Sequence, residues 1–105
     1  MGHGRHPIYL RQEKTLIVKP SGRFDTATSP VLEKELHQHL DGIENVFMDF
    51  ESVEYISSSG LRMLLATEQL LERHGGSLKL QHVNEYIMEV FEMVNFTDVV
   101  EVIRD

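Results

Sequence analysis

The sequence predicts a single α/β domain: a mixed sheet of about five strands, an N-terminal hairpin followed by parallel crossovers, with about three to four helices. Three observations predict it. Two short segments, "IYLRQ" (8–12) and "TLIVK" (15–19), are separated by the polar pair Glu13-Lys14, which suggests antiparallel pairing. The segment "NVFMDF" (45–50) is apolar almost throughout and reads as a strand covered on both faces, the mark of a parallel sheet flanked by helices. A helix over about 59 to 74 lies between it and the next strand candidate, "SLKLQ" (77–81). Strand, helix and strand in that order form a crossover unit, almost always right-handed.

Residues 1–7 precede the first strand and are expected to be a flexible tail to a domain spanning 8–105. After the hairpin, "PSGRFDTATSP" (20–30) reads as loop, and Ser29-Pro30 starts a helix: a side-chain oxygen can cap free N–H groups, and proline at the first position loses no hydrogen bond. Leu32, Leu36 and Leu40 give that helix one buried stripe, and Asp41-Gly42 ends it. In the second helix, Met63, Leu64, Ala66, Thr67, Leu70 and Leu71 fall within one arc of roughly 160°, the expected core face. Leu61 and Leu65 fall outside it, among Glu68, Gln69 and Glu72, as two exposed leucines able to anchor a partner. Gly75-Gly76 closes the helix with residues free to adopt positive φ. Asn84 caps a third helix whose Ile87, Val90, Phe91 and Val94 recur at helical spacing, and the β-branched "DVVEVI" (98–103) reads as a last short strand.

A chain of 105 residues with 41% apolar and 26% charged residues has the composition of one globular domain, and no apolar run approaches the ~20 residues that cross a bilayer. A cytoplasmic location is expected, since the N-terminus lacks the apolar centre of a secretion signal and the chain has no cysteine. The net charge of −7, with basic residues dispersed, disfavours nucleic acid and suits a protein partner with a basic surface.

The triple serine at 57–59 is the most conspicuous candidate for chemistry. A nucleophile elbow needs G-x-S-x-G, and around Ser58 the second glycine is present as Gly60 while the first is Ile56. The histidines are poorly placed as a base: His74 ends the same helix, His82 follows a strand, and His37 and His39 stand two apart on a helix. His3 and His6 lie in the tail, and neither metal-ligand spacings nor phosphate-cradling glycine loops occur. These observations favour a binding module over an enzyme, with no cofactor or metal implied. Ser57 or Ser58 could cap the second helix, yet one serine suffices for that, leaving a hydroxyl exposed where strands end. A phosphate there would meet the positive end of the helix dipole.

The segments "GRFDTATSPVLEKEL" (22–36), "NVFMDFESVEYISSSGLRMLL" (45–65), "GGSLKLQHVN" (75–84) and "VFEMVNFTDVVEV" (90–102) resemble, in order and spacing, the STAS domain of bacterial anti-sigma factor antagonists. The resemblance covers about residues 8 to 103 and is most specific at "SSSGLRMLL". It implies partner switching: the unphosphorylated protein binds an anti-sigma factor with serine kinase activity and so releases the sigma factor. Phosphorylation then ends the complex, and a serine phosphatase resets it. On the family pattern D-S-S-G the phosphoacceptor falls on Ser58, followed by Ser59 and Gly60, and the docking surface falls on Asp25, Ser57, Ser58, Ser59, Gly60 and Leu61, with Leu65 from the helix pattern. Ser57 departs from the pattern, standing where the family has an aspartate. The alternative implied is a STAS module that docks, without phosphorylation, on another assembly such as a transporter complex.

Overall fold

The structure, a computed structural model, describes residues 7–104. Its strands and helices follow in the order β1 (Ile8–Gln12), β2 (Thr15–Lys19), β3 (Ser21–Phe24), α1 (Ser29–Gln38), β4 (Asn45–Asp49), β5 (Ser52–Ile56), α2 (Ser58–Glu72), β6 (Ser77–Gln81), α3 (Glu85–Met93), a 3-10 turn (Phe96–Asp98) and β7 (Glu101–Ile103). The predicted tail lies, apart from Pro7, outside the described residues.

The mixed five-stranded sheet is present, in the order β1-β2-β4-β6-β7. β1 and β2 pair antiparallel, and every later pairing in this sheet is parallel. The hairpin turns through Glu13, whose φ of 55° places it in the left-handed region. The crossover through α2 falls where the sequence places it.

Side chains alternate in β2, β4 and β6: Leu16, Val18, Val46, Met48, Leu78 and Leu80 are buried, while Ile17, Phe47 and Lys79 between them are only half-buried. The expectation that 45–50 is covered on both faces is therefore corrected. One face carries the core, to which the helices add Leu32, Leu36, Met63, Leu64, Leu71, Ile87 and Phe91. Each such side chain contributes about 1.5–3 kcal/mol by leaving water, set against the entropy of ordering it.

Other expectations shift. The loop read at 20–30 contains β3, which pairs in parallel with β5 to form a separate two-stranded sheet, with a bulge between Gly22 (φ 85°) and Arg23. A strand with a glycine at a bulge carries little β signal, and its short partner was not distinguished from the approach to the helix. Thr28, not Ser29, occupies the cap position of α1, and the helix ends at Gln38, ahead of Asp41-Gly42. Ser29 is buried as the first helical residue. Val94 is 55% exposed rather than in the core, and Phe96–Asp98 wind into the 3-10 turn, shortening the last strand to three residues.

On α2, Met63, Leu64, Thr67 and Leu71 are buried as predicted, but Ala66 is exposed, Leu70 is half-buried and Glu68 is buried. A Glu68 carboxylate oxygen accepts the Leu78 backbone N–H at 2.8 Å. The pairing of β6 with β7 begins only at Lys79, so a side chain completes what the short strand leaves open. Gly75 has φ 80°, as its position at the end of α2 requires. Gly76 answers a different constraint, since a Cβ there would lie 1.6 Å from the Glu44 carbonyl oxygen.

Candidate functional site

The two-stranded sheet builds the site. Phe24 and Ile56 are the last partners of β3 and β5, so the chain leaves both parallel strands at the same end and sets Asp25 and Ser57 side by side. The Phe24 carbonyl accepts both the Ser57 backbone N–H, at 2.8 Å, and the Ser57 hydroxyl, at 3.0 Å. Ser57 is extended (φ −104°, ψ 178°) and occupies the cap position of α2, but its side chain makes no capping bond. The expectation that a serine hydroxyl caps this helix is thus corrected: Ser57 spends its hydroxyl on β3, and its carbonyl accepts the Leu61 N–H at 3.0 Å.

The three serines are therefore inequivalent. Ser58, the first residue of α2, is exposed, and its hydroxyl makes no hydrogen bond among the described residues. Ser59 is half-buried, with its Oγ 3.4 Å from Thr26 Oγ1 and 3.4 Å from Arg62 Nη2. Gly60 is buried because the helix starts hard against the sheet: a Cβ would lie 2.7 Å from Ile56 Cγ1, 2.8 Å from Phe24 Cβ and 2.9 Å from the Phe24 carbonyl oxygen.

Asp25 organises the loop facing them. Its Oδ1 accepts the backbone N–H groups of Ala27 and Thr28, each at 3.0 Å, and the Thr28 hydroxyl lies 3.1 Å away. Arg23 Nε approaches the other carboxylate oxygen at 3.5 Å. The Thr28 N–H first, then the Thr28 hydroxyl, Ala27 and Arg23, hold the Asp25 carboxyl below its ordinary value against a smaller opposing effect of burial.

The structure brings Asp25, Ser57, Ser58 and Ser59 together at one end of the two-stranded sheet, with Gly60 buried beneath them. Leu61 and Leu65 are corrected from exposed to half-buried, because both pack against the margin of the core. Sequence reasoning missed four neighbours, Arg23, Tyr55, Tyr86 and Arg62. The Arg23 guanidinium lies 4.1 Å above the Tyr55 ring, and Tyr55 stacks on Tyr86 with centroids 6.2 Å apart. The Tyr55 partnership follows from the pairing of Arg23 with Tyr55 across β3 and β5, which recognition of those strands would have exposed. Arg62 was legible, standing four residues after Ser58 and hence one helical turn along.

Two depressions flank the surface. A cavity of about 640 Å³ is lined in part by Arg23, Asp25, Thr28, Val31, Glu35 and Glu54. A groove of about 290 Å³ between α1 and α2 is lined by Ser29, Pro30, Glu33, Ser59, Arg62 and Met63, with Ala66 at its side. His82, weighed above as a base, pairs instead through Nδ1 with Asp49 Oδ1 at 2.9 Å, where β4 and β6 end. Among the described residues there is no group of three or more His, Cys, Asp or Glu able to hold a metal ion, and no helix long and apolar enough to cross a membrane.

Comparison with known proteins bears on the family and the fold. Residues 6–105 match the family model of the STAS domain. The chain is 30% identical over 92 residues to the anti-sigma-B factor antagonist of Staphylococcus aureus (strain NCTC 8325 / PS 47), spanning 87% of this chain and 85% of that protein. It is 25% identical over 92 residues to the anti-sigma-B factor antagonist of Bacillus subtilis (strain 168), spanning 88% and 84%. The fold superposes with a TM-score of 0.83 on the crystal structure of an anti-sigma factor antagonist from Mycobacterium paratuberculosis, at 20% identity and covering 95% of this chain and 86% of that one.

Proposed function

The chain belongs to the STAS domain family, and we propose that it acts there as an anti-sigma factor antagonist whose binding is switched by phosphorylation of Ser58. In its unphosphorylated form it binds an anti-sigma factor that is also a serine kinase, and the sigma factor is released. The kinase then moves the γ-phosphoryl group of ATP onto Ser58 Oγ: an O–P bond forms, the terminal phosphoanhydride bond breaks, and ADP and the hydroxyl proton leave. A serine phosphatase hydrolyses the ester and restores binding. The protein is substrate and ligand in this cycle, not catalyst.

The observation that carries the choice of Ser58 is its hydroxyl, exposed and unbonded, between a Ser57 hydroxyl held by the Phe24 carbonyl and a half-buried Ser59. A kinase needs an acceptor oxygen it can reach. Position supports the consequence too. A phosphate at the first residue of α2 adds about 1.5–2 negative charges at the positive end of a helix dipole, which the fold tolerates, while a partner docked on Asp25 and the serine turn meets new charge.

The test is binding to the anti-sigma partner with and without ATP. Ser58→Ala should bind as the unmodified protein does and stay bound when ATP is added, whereas Ser58→Asp should bind about tenfold more weakly or worse, roughly 1.4 kcal/mol. Equal binding by the two variants would sink the switch. Phosphate found on Ser57 or Ser59 by mass spectrometry would move the acceptor.

A further inference from the structure

Arg62 is the least explained cation near the serine turn. Among the described residues no ion pair involves it, and its side chain makes one long hydrogen bond, 3.4 Å from Nη2 to Ser59 Oγ. Three other arginines are engaged, since Arg11 donates to the Asp41 and Glu13 carbonyls, Arg23 faces Asp25, and Arg104 pairs with Glu92 at 3.1 Å, while Arg73 stands at the far end of α2. Arg62 also stands four residues after Ser58 on the same helix, the spacing at which helical side chains are neighbours.

Two further unused donors stand near it, one in the groove beside it and one at the start of α2, whose Ser59 lines that groove. Ser29 lines it, is 2% exposed, and its hydroxyl has no hydrogen-bond partner among the described residues. Leaving a buried hydroxyl unpaired costs about 1–3 kcal/mol, so it would gain from any acceptor that reached it. The start of α2 is the second: Ser57 makes no side-chain cap, so the backbone N–H groups of the first turn, ahead of the Leu61 N–H that Ser57 accepts, are left without one. A guanidinium, an orphan hydroxyl and an uncapped helix start together provide donors in excess of acceptors. Glu33 is the one acid lining the groove and opposes an anion there.

We propose that once Ser58 carries a phosphate, the groove between α1 and α2 holds that phosphate in cis, through Arg62, the first-turn N–H groups of α2 and the Ser29 hydroxyl. This rests on the reading of Ser58 as the acceptor. Phosphorylation then does two things at one position: it adds negative charge, and it withdraws from the partner an arginine that the free protein presents. Arg62 acts as a positioning residue for the phosphate, fixing where the new charge stands against α2.

The test is ³¹P NMR titration of the full chain with phosphoserine incorporated at position 58 during synthesis, with no partner present. The second ionisation of phosphoserine lies near pH 6. An arginine beside the dianion lowers that midpoint, so Arg62→Gln should raise it by about half a pH unit, the size expected of an exposed charge pair. Glu33→Gln should lower it. Arg73→Gln removes the same charge at the far end of α2 and should leave the midpoint nearly unmoved. An unchanged midpoint in Arg62→Gln, or an equal rise in Arg73→Gln, overturns the proposal. Because the titration involves no kinase, that failure would leave the Ser58→Ala and Ser58→Asp binding result standing, and failure of that result would leave the phosphate contact standing.

Discussion

Gly60 is the residue on which the geometry of the serine turn depends. An alanine there would gain helix propensity, worth up to about 1 kcal/mol, but its Cβ would lie under 3 Å from a backbone oxygen and two side-chain atoms of the adjoining strands. Backbone oxygen and a Cβ cannot swing aside as a flexible chain end can, and overpacking costs about 1–3 kcal/mol. The clash wins. Gly60→Ala should lower the urea midpoint, and it should loosen Ser57 from the Phe24 carbonyl because the start of α2 must retreat. A midpoint at or above that of the unmodified protein would show that the helix can shift without strain. The same residues show what a sequence conveys and what it does not. Three serines before a glycine announced a helix start with hydroxyls to spare. Their separate fates depend on where an extended cap residue aims its side chain, which only the pairing of β3 with β5 decides.

At the level of elements, legibility followed periodicity. α3 has the repeat of its class, β4 shows as an apolar run and the hairpin as two short segments around a polar pair, and Asn84 caps α3 as expected, its Oδ1 accepting the Ile87 N–H at 2.8 Å. It also donates to the Val53 carbonyl at 3.2 Å, tying α3 to β5. Asn84→Ala should therefore cost somewhat more than the ~1 kcal/mol of a cap alone, read as a drop in the unfolding free energy; a cost of a few tenths would mean that the tie to β5 contributes nothing. β3 and β5 escaped because each is short, one is bulged at glycine, and their partnership is non-local. Glu68 escaped for another reason: helical position placed it on the outer face, and the short β7 drew it inward to serve Leu78. Glu68→Ala leaves that buried N–H unpaired and should destabilise by about 1–3 kcal/mol. Glu68→Gln keeps an acceptor oxygen and should recover most of it. Equal losses in the two variants would mean that the charge, not the acceptor, matters.

Over the whole molecule, the carboxylates and one tyrosine set opposite limbs of a pH profile. Asp25 and Asp49 are both held below the ordinary value of 3.8. At Asp25 the leading cause is the Thr28 N–H; at Asp49 burial pushes upward and is outweighed by the His82 hydrogen bond, the Glu51 N–H and the charges of His82 and Lys19. The folded state thus favours the ionised form, so their contribution is present above the unfolded value and lost as pH falls through the lower folded values. Tyr9 runs the other way. Burial first, then the neighbouring Glu35 carboxylate, raise it from 10.0 to about 12. The folded state keeps the phenolic proton, so this contribution is complete below the unfolded value of 10.0 and disappears as pH rises through about 12. Urea midpoints measured from acid to alkali should therefore show a plateau that falls at both ends. Asp25→Asn should make the acid limb shallower, leaving the share of Asp49, and should not change the alkaline one. Tyr9→Phe keeps the ring that stacks on His39 at 4.0 Å, so it should preserve the plateau and flatten the alkaline limb alone. Should Tyr9→Phe lose stability between pH 10 and 12 as steeply as the unmodified chain, the alkaline limb belongs to other groups, and the Tyr9 hydroxyl beside Glu35 is not what sets it.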